Sequence, residues 1–169
     1  MISLPVRQLI EDKDYHLALK LLQGKRGLAR KNVTIPQIQK PGLALTGDTT
    51  HLHPGRIQVL GNSEIRFLRR LPPAERERVV KKLCRRDLSC FVLTSRLLPP
   101  RPLAEETEKK GIPLLQTGLP TSTFIIRVTK YLDEHLTEST TLHGVLVDVF
   151  GVGILLTGKS GMGKSECGL

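Results

Sequence analysis

A chain of 169 residues with 39% apolar and 25% charged residues has the balance of a folded globular protein, which excludes the disordered and fibrous classes. Trp is absent and Phe and Tyr are few, so Leu, Ile and Val must supply the core, and no apolar run approaches the roughly 20 residues of a membrane-spanning helix. The net charge of +10 is uneven: residues 137–169 sum to −1 and residues 1–136 to +11, with nine Lys or Arg between Arg66 and Arg86 against only Glu75 and Glu77.

In chain order, residues 4–12 and 14–23 read as helices, the second with Leu17, Leu21 and Leu22 on one face and Gly24 as its stop. Val33-Thr-Ile35 reads as a short strand, and Gly42–Thr46 is ambiguous. Arg56–Leu60, with its β-branched residues and terminal Gly61, predicts a strand. Ser63 opens a helical stretch, and Pro72-Pro73 opens another to about Arg86 that turns Val79, Val80 and Leu83 inward and its basic residues out. Cys90–Thr94 is a buried-type strand, Leu103–Lys110 a polar helix stopped by Gly111, and Ile112–Leu115 a further strand. Thr121 or Ser122 should cap a longer helix with Phe124, Ile125, Val128, Leu132 and Leu136 on one side. This strand–helix–strand alternation over residues 56–136 predicts an α/β fold with a largely parallel sheet. Thr137–Thr141 is a polar linker, followed by two apolar runs, Gly144–Phe150 and Ile154–Leu156. A tight turn at Gly151-Val152-Gly153 should pair these runs as a hairpin.

The basic stretch Arg66–Arg86 lacks interleaved stacking aromatics, and the chain has no DNA-binding motif. We read the stretch as a solvated helix face and expect no nucleic-acid partner. The three cysteines, Cys84, Cys90 and Cys167, are odd in number and lack metal-ligand spacing. The N-terminus lacks the layout of a secretion signal, so reduced thiols in a cytoplasmic protein are expected. His51 and His53 form an H-x-H pair without further ligands nearby in sequence, and no metal site is expected there.

The chemistry is concentrated at the end of the chain. Gly158, Lys159, Ser160, Gly161, Met162, Gly163, Lys164 and Ser165 match G-x-x-x-x-G-K-[S/T] in full. The glycines permit positive φ and remove Cβ atoms, so successive backbone N–H groups can converge on phosphate oxygens. Lys164 supplies a positive charge at the β- and γ-phosphates, and Ser165 supplies a hydroxyl for Mg²⁺. Ile154–Leu156 arrives as the strand that the motif requires. If the hairpin forms about Gly151–Gly153, His143 is brought close to Gly158. There it can bind phosphate or move a proton, or simply be a polar residue at a strand end.

The run Thr140-Thr-Leu-His143-Gly-Val-Leu-Val-Asp-Val-Phe-Gly-Val-Gly-Ile-Leu-Leu-Thr-Gly-Lys-Ser-Gly-Met-Gly-Lys-Ser-Glu166 resembles the start of the catalytic domain of bacterial HPr kinase/phosphorylases. Pro41–Leu45, Arg56–Gly61, Ile112–Leu115 and Thr121–Phe124 fit the same family, so the resemblance covers nearly the whole chain. It implies phosphorylation of a serine of the phosphocarrier protein HPr at the expense of ATP or pyrophosphate, with reversal by phosphorolysis, in the control of carbon metabolism. It also implies a hexamer and a catalytic core similar to phosphoenolpyruvate carboxykinase, preceded by an α/β regulatory or assembly domain. Residues 1–132 would be that first domain and 133–169 the beginning of the P-loop catalytic domain. Carried over by position, His143 is the active-site histidine and Lys164 the catalytic lysine. Gly158 through Ser165 hold the nucleotide phosphates, and Ser165 is a Mg²⁺ ligand. The family's general-base aspartate and a further Mg²⁺-binding carboxylate lie downstream of the loop, so the 169-residue chain is expected to be an inactive fragment of the enzyme. The alternative is a regulatory or ligand-binding α/β module with a non-catalytic nucleotide-binding loop.

Overall fold

Three runs of four residues, Ile57–Leu60, Cys90–Leu93 and Leu114–Thr117, have every residue buried. Strands covered on both faces in this way need a layer of helices on each side, the arrangement of parallel sheets. The computed structural model, which describes residues 2–137 and 144–157, has this organisation and divides into two compact units, Met1–Thr137 and Glu138–Leu169.

In the first unit the elements run β1 (Leu4–Pro5), α1 (Val6–Glu11), β2 (Leu19–Gln23), β3 (Asn32–Val33), α2 (Gly42–Leu45), β4 (Ile57–Leu60), α3 (Asn62–Arg70), α4 (Pro73–Leu83), β5 (Cys90–Leu93), α5 (Arg101–Lys110), β6 (Leu114–Thr117) and α6 (Thr121–Leu136). The central sheet has the order β2-β6-β5-β4. Strands β4, β5 and β6 are parallel, with Ile57 opposite Cys90 and Phe91 opposite Leu114. Strand β2 adds an antiparallel edge, with Leu19 opposite Thr117. The α/β fold with a largely parallel sheet is therefore the one the alternation predicts.

The strand period of two separates two cores. Leu60, Phe91, Leu93 and Leu114 pack with Ile65, Leu68, Val80, Leu83 and Leu103 from α3, α4 and α5. Ile57, Val59, Cys90, Val92 and Leu115 pack with Val6 and Leu9 of α1 and with Phe124, Val128, Tyr131 and Leu132 of α6. Burial pushes the Cys84 and Cys90 thiols up to about 12, so both are core hydrophobes rather than nucleophiles. Among the described residues, no helix is long and apolar enough to cross a membrane.

Several elements differ from their sequence reading. Residues 14–23 are not helical. The Asp12 carboxylate accepts N–H bonds from Asp14, Tyr15 and Leu17, and His16 and Ala18 take positive φ of 51° and 49°, which ends any helix there. Leu19–Gln23 then pairs with β6. Leu21 packs against one core and Leu22 against the other, the period of a strand. Strand β6 starts at Leu114, two residues later than read, and α4 ends at Leu83 rather than near Arg86. Thr121 does not cap α6. Pro120 holds the N-cap position, and the Thr121 hydroxyl lies 2.6 Å from that of Thr94 instead. The ambiguous Gly42–Leu45 is helical.

The turn after β2 is clamped onto the end of α5. The Gly24 N–H donates to Glu108 Oε2 at 2.6 Å, and a Cβ at Gly27 would lie 2.1 Å from the Gly111 carbonyl oxygen and 2.7 Å from Pro113 Cδ. Gly27→Ala must therefore push two backbone segments apart, and we expect it to cost about 1–3 kcal/mol. A lowered urea midpoint at unchanged slope checks this, and an unchanged midpoint refutes the clamp.

Candidate nucleotide site

The second unit is described over Gly144–Thr157, a two-stranded antiparallel hairpin of β7 (Gly144–Val149) and β8 (Val152–Thr157). The turn is Phe150-Gly151, one residue earlier than the Gly151–Gly153 turn read from sequence. Both residues have positive φ, 54° and 82°, the left-handed pair that a two-residue turn needs to match the twist of its strands. Asp148 Oδ1 accepts the Gly151 N–H at 2.8 Å and closes the turn. Leu146, Phe150, Val152, Ile154 and Leu155 are exposed, because a two-stranded ribbon has no layer of its own to cover its faces.

The hairpin runs in full register from Val149 opposite Val152 to Gly144 opposite Thr157. Its open end is thus the paired couple Gly144–Thr157, the register required for the sequence reading of His143 beside Gly158. His143 itself and Gly158, Lys159, Ser160, Gly161, Met162, Gly163, Lys164 and Ser165 lie outside the described residues. So does Glu138–Thr141 of the linker.

Other residues singled out by sequence have structural duties in the first unit. Gln39 holds the H-x-H segment in place, donating to the His51 carbonyl and accepting from the His53 N–H. In the basic stretch, Arg76 closes the end of α3 by donating to the carbonyls of Leu68, Arg69 and Leu71. Arg69 donates to the Leu98 carbonyl, and Lys82 to that of Gly47. Arg66, Arg70, Arg78, Arg85 and Arg86 are exposed, in keeping with a solvated helix face.

Two family descriptions match the chain: "HPr Serine kinase N terminus" over residues 4–132 and "HPr Serine kinase C-terminal domain" over residues 134–169. The chain belongs to the HPr serine kinase family. The HPr kinase/phosphorylase of Geobacter sulfurreducens is 51% identical over 168 residues, covering 99% of this chain and 52% of that protein. The corresponding protein of Latilactobacillus sakei is 37% identical over 99% of this chain and 52% of its own length. That of Bacillus subtilis is 39% identical over 89% and 48%. The chain spans about half the length of these relatives. Among solved structures, the CBS and DRTGG domains of the regulatory region of Clostridium perfringens pyrophosphatase align over 79% of this chain and 53% of that one. A TM-score of 0.49 at 14% identity is too slight a likeness to inform either fold or function.

Proposed function

We propose that the protein to which this chain belongs transfers phosphate from ATP, or from pyrophosphate, to a serine of HPr, and reverses the transfer by phosphorolysis. The observation that carries this reading is the hairpin register. His143 and Gly158 are each one peptide bond from the cross-strand pair Gly144–Thr157, so a histidine and the first glycine of a phosphate-binding sequence leave the same end of one hairpin.

The residue types suit the reaction. Phosphoryl transfer demands positioning and charge neutralisation more than covalent help from the protein. Backbone N–H groups of Gly158–Ser165 would hold the phosphate chain, and the Lys164 ammonium would offset charge on the oxygens of the transferring group. His143 would bind a phosphate oxygen or carry a proton. The Ser165 hydroxyl is a hard oxygen donor of the kind Mg²⁺ takes, and would hold an ion that supplies positive charge against the phosphates. We place the domain division at residues 1–132 and 133–169, with the first domain serving regulation or assembly. We further propose a homo-hexamer acting in the cytoplasm on carbon metabolism.

The test is phosphotransfer by the full reading frame, incubated with Mg-ATP and HPr and read by mass spectrometry of HPr. A phosphoryl group on a serine of HPr, removed again when orthophosphate is added, is the expected result. Nucleotide binding without any transfer to HPr would overturn the kinase reading and leave the regulatory module in its place.

A further inference from the structure

The first unit holds a cavity of about 390 Å³ that the kinase reading does not use, with Arg26, Arg30, Lys31, Asp87, Lys109 and Lys110 among its walls. These residues come from three separate stretches of chain: the turn after β2, the loop between α4 and β5, and the last turn of α5. They are brought together by the clamp described above, in which Gly24 is bonded to Glu108 and the Gly27 backbone lies against Gly111. The juxtaposition is therefore built into the fold.

Five cations face one carboxylate. Lys31 is paired with Asp87, whereas Arg26, Arg30, Lys109 and Lys110 have no ion pair and donate no side-chain hydrogen bond among the described residues. The C-terminal carbonyls of α5 favour positive charge and account for Lys109 and Lys110. They do not account for Arg26 and Arg30, which line the same cavity and increase its repulsion. A bound polyanion would relieve that repulsion. The two guanidinium forks offer paired N–H donors to phosphate oxygens, and the two ammonium groups offer point charges. The volume suits a small ligand and not a nucleic-acid duplex.

We propose that this cavity binds a small anion carrying two or more phosphate groups. The test is calorimetric titration of inorganic tripolyphosphate into the full reading frame carrying Lys164→Ala, which weakens competition from the phosphate-binding loop. Saturable binding should persist in that background. It should weaken at least about tenfold on adding either Arg26→Gln with Arg30→Gln or Lys109→Gln with Lys110→Gln, each pair removing two charge-assisted contacts. The side chains exchanged are exposed, and the two pairs lie in distant segments of the sequence, so a folding defect in one leaves the other as the test. Orthophosphate should bind at least about tenfold more weakly than tripolyphosphate, because one phosphate engages only part of the cation set. Binding unchanged by both pairs, no binding once Lys164 is replaced, or equal affinity for orthophosphate would each overturn the proposal. So would a single-stranded oligonucleotide that binds more tightly than tripolyphosphate and loses affinity in the same variants.

Discussion

Phe91→Ala should remove about 3–5 kcal/mol of stability, the range for deleting a fully buried aromatic ring. Phe91 lies on β5, which has β4 on one side and β6 on the other, and its side chain is completely buried. It belongs to the core shared with Leu83, Leu103 and Leu114. The backbone around it cannot collapse into the space left by the ring, because its N–H is bonded to the Pro113 carbonyl at 2.9 Å and its neighbours are paired on both sides. Against a total stability of about 5–15 kcal/mol, such a loss leaves a substantial unfolded population at physiological temperature. Urea unfolding followed by circular dichroism measures it. Ile126→Ala is the control: that side chain is 71% exposed on α6, and its truncation should change stability by no more than about 0.5 kcal/mol. Equal effects of the two substitutions would refute the assignment of Phe91 to a tightly packed core.

Phe91 is legible in the sequence because its strand advertises itself locally. Cys90–Leu93 is a short apolar run between polar segments, and the helices on either side repeat their apolar residues at helical spacing, as Val79, Val80 and Leu83 do. Leu17–Gln23 is illegible for the same reason in reverse. Leu17, Leu21 and Leu22 fit one helix face, yet in the strand Leu21 and Leu22 point to opposite cores, and the choice is made by pairing with β6, nearly 100 residues away. The hairpin is a mixed case. Its two apolar runs are readable, but the turn falls on Phe150-Gly151 because register, rather than glycine spacing, decides which residues bend. Charge misleads in a similar way. The dense stretch Arg66–Arg86 is conspicuous, yet Arg69, Arg76 and Lys82 are engaged with backbone carbonyls. The cavity cations Arg26, Arg30, Lys109 and Lys110 are inconspicuous in sequence because their meeting depends on two glycine contacts between distant segments. The sequence proposed to bind phosphate is the opposite extreme, since its chemistry would be carried by eight consecutive residues.

Lys164→Ala in the full reading frame should lower phosphotransfer to HPr by at least about 10²-fold, the scale for removing one preorganised charge-stabilising donor from a reacting centre. The argument rests on where charge develops. The transferring group spreads negative charge over its oxygens, and the lysine of this sequence pattern is the side chain that meets the β- and γ-phosphates. Lys159 stands in the same sequence pattern at a position that accepts any residue, so Lys159→Ala should cost far less than Lys164→Ala. Lys164→Arg should not restore the rate, because a planar guanidinium is not interchangeable with a compact ammonium where glycines let backbone approach a phosphate closely. Single-turnover transfer with saturating Mg-ATP separates this loss from weaker nucleotide binding. Retained turnover in Lys164→Ala, or equal losses in the two lysine variants, would remove Lys164 from the catalytic role and count against a phosphoryl-transfer site at the open end of the hairpin.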